Sequence, residues 1–130
     1  MEEKMKIELH RLTLKNTFKL QSIVKKDVAE KAYLEWPFTK ECAENFISNY
    51  NTWGIWVNGN VLVGAVEVKE NLETAYFVTP LWQKQGIATL AVNECQKYFG
   101  KQQLWCYINP KNKASLRVAR KANLRVQFYK

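Results

Sequence analysis

The sequence is poor in the residues that metal and disulfide chemistry needs. It has three cysteines, Cys42, Cys95 and Cys106, and one histidine, His10. The cysteines stand far apart and form no CxxC pair, so neither a zinc site nor a disulfide framework is expected. No apolar run approaches the length of a membrane span. The first ten residues, MEEKMKIELH, lack the apolar stretch of a secretory signal, which points to a reducing cytoplasm. Two nucleotide motifs are also missing. There is no GxxxxGK[ST] and no GxGxxG, which excludes a P-loop and a dinucleotide fingerprint. No repeat, low-complexity segment or linker divides the chain.

What is present describes a globular protein. Hydrophobic residues make up 47% and charged residues 25% of 130 residues. That balance disfavours disorder, and the length suits one domain over residues 1–130 with a core of its own. Lys and Arg number 20 against 12 Asp and Glu, a formal charge of +8. The excess favours an anionic partner: nucleic acid, an acidic protein or a phosphorylated cofactor.

Periodicity gives the order of elements. Residues 6–15, KIELHRLTLK, alternate as a strand, with a phase break near His10 and Arg11 that reads as a bulge. Phe18, Ile23, Val24 and Val28 recur at helical spacing from Asn16 to about Tyr33. Trp36-Pro37 ends that helix. Thr39 can cap the next, TKECAENFISNY. WGIWV-NG-NVLVGAVEV is a strand, an Asn-Gly turn and a second strand. ETAYFVT opens another strand, and a helix follows Gly86. QLWCYI is a short strand. NPKNKASLRVARKANL is a basic helix in which Asn123 can take a left-handed end position, and RVQFYK is a last strand. The fold class is α/β, in the order β-α-α-β-β-β-α-β-α-β around a mixed sheet.

The stretch YFVTPLWQKQGIATLAV, residues 76–92, carries the first chemical signal. A strand delivers the chain through a proline turn to one glycine at the mouth of a helix. A helix start offers unpaired N–H groups and a partial positive charge, which suit a phosphate. Gly86 lets an anion approach the backbone, and Gln83, Lys84 and Gln85 add donors. Taken alone, these residues are better explained by a plain β–α turn with one permissive glycine.

The wider context adds a resemblance. Gln83-Lys84-Gln85-Gly86-Ile87-Ala88 resembles the Q/R-x-x-G-x-G/A motif of the GNAT superfamily of N-acetyltransferases. Val78-Thr79-Pro80 resembles that family's V-x-P lead-in. Asn112-Lys113-Ala114-Ser115 with Lys121-Ala122-Asn123-Leu124 resembles its N-x-x-S…K-x-G-F segment, with Asn and Leu in place of Gly and Phe. The resemblance covers nearly the whole chain and leans to the branch that contains ribosomal-protein N-terminal acetyltransferases. It implies a mostly antiparallel twisted sheet flanked by helices, here short at the C-terminal end.

By this resemblance, acetyl-CoA is the acyl donor and no metal takes part. Its pyrophosphate is expected on Gln83 through Ala88, with Thr89 next. Its pantetheine arm is expected to pair with Phe77, Val78 and Thr79 as an added strand. Asn112 is expected to bond the arm, and Ser115 to lie near the sulfur. Many relatives place a tyrosine seven residues after the Asn, where this chain has Ala119, so Ser115 is the expected acid for the leaving thiolate. A backbone N–H near Val78 is expected to polarise the thioester.

Two carboxylates are candidates for the base that frees the attacking amine. Glu73 heads the fourth strand. Glu67 lies on the third, in phase with Val61, Val63 and Ala65, where apolar surroundings would raise its pKa. Both could equally face water at strand ends. The last strand has room for no partner hairpin, so its edge suggests a homodimer that walls the acceptor site. Two further readings stay open: a non-catalytic acyl-CoA sensor on the same scaffold, and a basic nucleic-acid-binding domain. The second has only the basic helix and the tryptophans behind it, and Trp56 and Trp105 sit in apolar strand patterns.

Overall fold

Asn58 and Gly59 set the centre of the architecture. Both have positive φ, 52° and 82°, which a tight hairpin turn demands and which Asn and Gly adopt at low cost. The computed structural model describes residues 5–49 and 51–128. In it this turn joins β2 (Asn51–Val57) to β3 (Val61–Val68). β1 (Ile7–Arg11) pairs antiparallel with β2, and β4 (Thr74–Val78) pairs antiparallel with β3. The sheet order is therefore β1-β2-β3-β4.

The remaining strands stand apart from this sheet. β5 (Trp105–Ile108) and β6 (Arg125–Phe128) form a parallel pair of their own. One parallel bridge, Glu73 to Trp105, joins the two sheets where β4 begins. Beyond it β4 and β5 part. The expected single mixed sheet is thus split, and the split opens a cleft.

Helices cover both faces. α1 (Thr17–Ile23), α2 (Lys26–Ala32) and α3 (Lys40–Asn49) pack on one side, and α4 (Ile87–Lys97) and α5 (Lys113–Lys121) on the other. One core cluster holds Leu20, Val28, Ala43, Trp56, Leu62 and Ala65. The other holds Ile55, Val66, Val92, Cys95, Leu104 and Ala119. Cys95 and Cys106 are buried, and burial pushes their thiols up to about 12 and about 11, so both behave as small apolar residues.

Two sequence expectations need correction, the helix over 16–33 and the bulged strand over 6–15. The helix expected over 16–33 is two, because Val24 and Lys25 are extended. Leu20, Val24 and Val28 still enter one cluster, which is why the apolar spacing runs through the break. β1 stops at Arg11 and keeps a regular register with β2, so it has no bulge. The register shift lies instead between β2 and β3, at Ile55/Trp56. Tyr50, Tyr129 and Lys130, assigned to the third helix and the last strand, lie outside the described residues, as do residues 1–4. Thr39 caps α3 as expected, its hydroxyl accepting from the Cys42 N–H at 3.1 Å.

At the register shift Gly64 lies directly against β4. A Cβ there would collide with the Phe77 carbonyl oxygen and come within 3.1 Å of Val78 Cα. Both are backbone atoms and cannot rotate away. Gly64→Ala should therefore destabilise the fold by about 3 kcal/mol. Urea unfolding followed by circular dichroism reads this directly. A change under about 0.5 kcal/mol would mean that β3 and β4 are not held at this distance.

Candidate active site

The chain leaves β4 through a single 3-10 turn, Pro80–Trp82, and reaches α4 at Gly86. Lys84 and Gly86 both have positive φ, 64° and 76°. Among the described residues, and beyond its chain neighbours and the backbone of its own helix turn, no atom lies within 4 Å of where a Gly86 Cβ would stand. Glycine is therefore required here by backbone conformation and not by crowding. The first helical bond runs from Leu90 N–H to the Gly86 carbonyl at 3.1 Å. The N–H groups of Ile87, Ala88 and Thr89 consequently have no intrahelical acceptor. A left-handed residue followed by helical ones turns successive N–H groups into one anion-binding concavity.

The Gln83 side chain plays another part than that of a phosphate donor. Its Nε2 donates to the Val78 carbonyl at 2.8 Å and staples the loop to the end of β4. The three residues expected to meet the pantetheine arm also differ. Thr79 N–H donates to the Val63 carbonyl at 2.8 Å, and the Phe77 carbonyl points at Gly64, so both turn toward β3. Strand alternation then turns the main-chain groups of Val78 and Tyr76 to the open side. Val78 N–H is the donor aimed into the cleft.

Two cavities meet at this edge. The larger, about 890 Å³, runs between α2 and the α4–α5 side. Lys84, Gly86, Thr89, Lys111, Arg117 and Lys121 are among its lining residues. The smaller, about 170 Å³, is lined by Leu34, Phe46, Glu67, Glu73 and Tyr107 among others. Tyr33, Tyr76, Phe77, Asn112 and Ser115 line both.

Asn112 and Ser115 come from the start of α5. Asn112 is its N-cap, accepting the Ser115 N–H through Oδ1 at 3.1 Å. That leaves the Asn112 amide N–H₂ to donate. Tyr76 donates its hydroxyl to the Ser115 carbonyl at 2.8 Å. Burial is the main reason its pKa is raised, so it stays protonated. This bond ties β4 to the start of α5 across the cleft. The sequence reading missed Tyr76, although its spacing of two from Val78 puts both on one face. Ala119 is 0% exposed within the core. The position where many relatives carry tyrosine is packing here.

The two carboxylates differ in setting. Glu73 is 3.6 Å from the Lys69 ammonium and retains partial exposure. Glu67 is 9% exposed and makes no ion pair among the described residues. Desolvation pushes its carboxyl above the usual range, Lys69 opposes that rise, and Glu73 adds to it. Glu67 does not face water at a strand end. Nor does it share a face with Val63. The register shift puts Leu62 and Ala65 on the α1–α3 side and Val63 and Val66 on the other, so Glu67 is in phase with Ala65 alone of the three expected. Among the described residues no cluster of His, Cys, Asp and Glu could hold a metal. No helix among them is long and apolar enough to cross a membrane.

The larger cleft fits acetyl-CoA. Its volume is that of a cofactor site, its helix mouth presents free N–H groups, and five cations, Lys31, Lys84, Lys111, Arg117 and Lys121, line it for a ligand rich in phosphate. The comparisons agree. Residues 7–125 match the family model described as Acetyltransferase (GNAT) domain. Among solved structures, a GNAT-family acetyltransferase from Bacillus anthracis superposes with a TM-score of 0.74 at 22% identity, covering 92% of this chain and 80% of that one. The ribosomal-protein-S5-alanine acetyltransferase from Vibrio fischeri gives a TM-score of 0.74 at 14% identity, covering 89% and 78%. Spermidine N-acetyltransferase from Vibrio cholerae, solved with CoA and spermine, gives 0.72 at 15%, covering 89% and 79%. By sequence, none of the curated proteins matches. With the family match spanning nearly all of a chain whose strand edge, glycine loop and cationic cleft suit the cofactor, this protein belongs to the GNAT acetyltransferases and is an acetyl-CoA-dependent N-acetyltransferase.

Proposed function

We propose that the acceptor is a primary amine that enters the smaller cavity and reacts where the two cavities meet. The observation that carries this reading is the shared wall of Tyr76, Phe77, Asn112 and Ser115, with buried Glu67 on the acceptor side. Acetyl-CoA supplies an activated thioester carbonyl. The N–H groups of Ile87, Ala88 and Thr89 bind its pyrophosphate, helped by Gly86 and Lys84; Gln85 belongs to the same turn. Arg117 and Lys121 add positive charge. Val78 N–H polarises the acyl oxygen. Asn112 orients the arm, and the Ser115 hydroxyl meets the sulfur.

A protonated amine has no lone pair, so a base or a water chain must take its proton first. Glu67 suits that role better than Glu73, whose charge is already engaged by Lys69. A cavity of 170 Å³ has the volume of roughly five or six waters. It admits the amine and one short group, as at a protein N-terminus, a lysine tip or a small-molecule amine. Thiol release measured over a panel of such amines tests the reading. Binding of acetyl-CoA with no release on any amine would favour the sensor alternative, and an oligonucleotide that stabilises the protein more than acetyl-CoA would favour the nucleic-acid one.

Ser115→Ala should lower turnover about tenfold with CoA affinity little changed, the pattern of a contact made in the transition state. The hydrogen bonds of Ser115 run through its backbone, so the change leaves the α5 start intact. Equal turnover in the two proteins would reduce Ser115 to a helix residue.

We infer that residues 1–130 act as one domain and work in a reducing compartment such as the cytoplasm, where three free cysteines persist. We also propose a homodimer. Among the described residues β6 pairs on one side only, and its Phe128 is 46% exposed. A second copy laid along that edge would wall the acceptor cavity. Light scattering at tens of micromolar should give twice the chain mass, since an interface near −8 kcal/mol is then filled. A monomer there removes the dimer.

A further inference from the structure

Thr52 is buried, 1% exposed, and its hydroxyl has no hydrogen-bond partner among the described residues. A buried hydroxyl without a partner is costly and rare, so its place in the sheet matters. Thr52 lies directly opposite Glu67 in the β2–β3 register. Its carbonyl accepts from Leu12 N–H at 3.0 Å, so its main-chain groups turn toward β1 and not toward β3. Thr52 and Glu67 are therefore a non-hydrogen-bonded cross-strand pair. In that arrangement the two Cα atoms come within about 4.5 Å and the side chains lie closest together, on one face. Glu67 lines the acceptor cavity, and Thr52 does not. Thr52 therefore lies beside Glu67 in the sheet but outside the lining of the acceptor cavity.

We propose that Thr52 is a positioning residue for Glu67, its hydroxyl donating to the carboxylate whenever that group is ionised, directly or through one bridging water. The proposal rests on the reading of Glu67 as the base. A threonine hydroxyl within a side-chain rotation of a carboxylate is a donor that stabilises its charged form. It would hold one oxygen and aim the other at the incoming amine. The remaining titratable and charged groups that line the cavity with Glu67 are Lys69 just past the end of its strand, Glu73 and Tyr76 from the β4 side, Cys106 and Tyr107 from β5, and Lys31 and Tyr33 from α2 and its C-terminal end. Only Lys69 among these offers positive charge from the sheet, and it is already paired with Glu73.

Thr52→Val keeps the shape and removes the donor; Thr52→Ser keeps the donor. The first readout is stability against pH, which needs no acceptor. If Thr52 serves the carboxylate, Thr52→Val loses stability relative to wild type as pH rises from 4 to 8, because only ionised Glu67 uses the bond. In a Glu67→Gln background the same substitution should show no pH dependence. The second readout is the acid limb of the rate profile, which Thr52→Val should move up by about one pH unit, a tenfold loss on that limb, and Thr52→Ser should restore. A hydroxyl with no such role gives the opposite pattern: Thr52→Val is equally or more stable at every pH, with the limb unmoved. That result overturns the proposal. The underlying reading fails separately, if Glu67→Gln alone leaves turnover intact.

Discussion

Gly86→Glu should abolish CoA binding in a protein that still folds. Three separate effects act at this position. Gly86 has φ of 76°, a left-handed conformation that costs an L side chain about 1–2 kcal/mol. A side chain there projects into space that is otherwise open, which is where the anion has to sit. A carboxylate then places negative charge at the three free N–H groups of the α4 start, the point of strongest attraction for phosphate. Gly86→Ala separates the first effect from the others, since it carries the strain without the charge. The alanine protein should be about 1 kcal/mol less stable and bind CoA several-fold more weakly. The glutamate protein should show affinity lower by at least about 100-fold, the equivalent of two phosphate contacts at roughly 1.4 kcal/mol each. Calorimetric titration with CoA checks both. Unchanged affinity in folded Gly86→Glu would remove the phosphate from this loop altogether.

The elements most legible in the sequence are those built by local chemistry. Asn58-Gly59 announces a hairpin because few other pairs adopt two consecutive positive φ values. Gly86 before an apolar helix announces a helix start for the same kind of reason, whereas the N-cap role of Asn112 emerged only with the fold. What stayed hidden depends on partners distant in sequence. Period-two alternation tells which residues share a face but not which strand edge is left open, so the parting of β4 from β5 could not be read. One register shift reversed the face on which Val63 lies relative to Glu67. The Gln83 amide, polar and next to a glycine loop, looks like a phosphate donor until the fold brings the Val78 carbonyl within 2.8 Å. Tyr76 reads as a core aromatic until α5 supplies the carbonyl it bonds. In each case the sequence names the group, and tertiary packing decides what it is used for.

Glu67→Gln should cost activity and add stability, and the two changes should depend on pH in opposite ways. The carboxyl is 9% exposed, and its burial favours the neutral acid. An acid whose folded pKa lies above its unfolded value stabilises the fold most at low pH, and that contribution is lost as pH rises through the folded value. Above that folded value the wild type carries an ionised carboxylate in an apolar setting. Glutamine keeps the shape and is never charged. The Glu67→Gln protein should then be the more stable of the two at pH 8, with the difference shrinking toward zero below the ordinary carboxylate value near 4.5. Turnover should move the other way. Glutamine cannot accept the proton of an ammonium ion, and removing a general base lowers the rate about 10²–10⁴-fold. The deficit should be greatest above the folded pKa, where wild-type Glu67 is ionised, and narrow as acid protonates the wild-type residue. Urea unfolding at pH 4 and pH 8, beside the rate profile on any amine that reacts, gives both curves. Full turnover in Glu67→Gln would pass the base role to Glu73 or to a water. A variant less stable than wild type at pH 8 would mean that the carboxylate is held by a partner stronger than its burial.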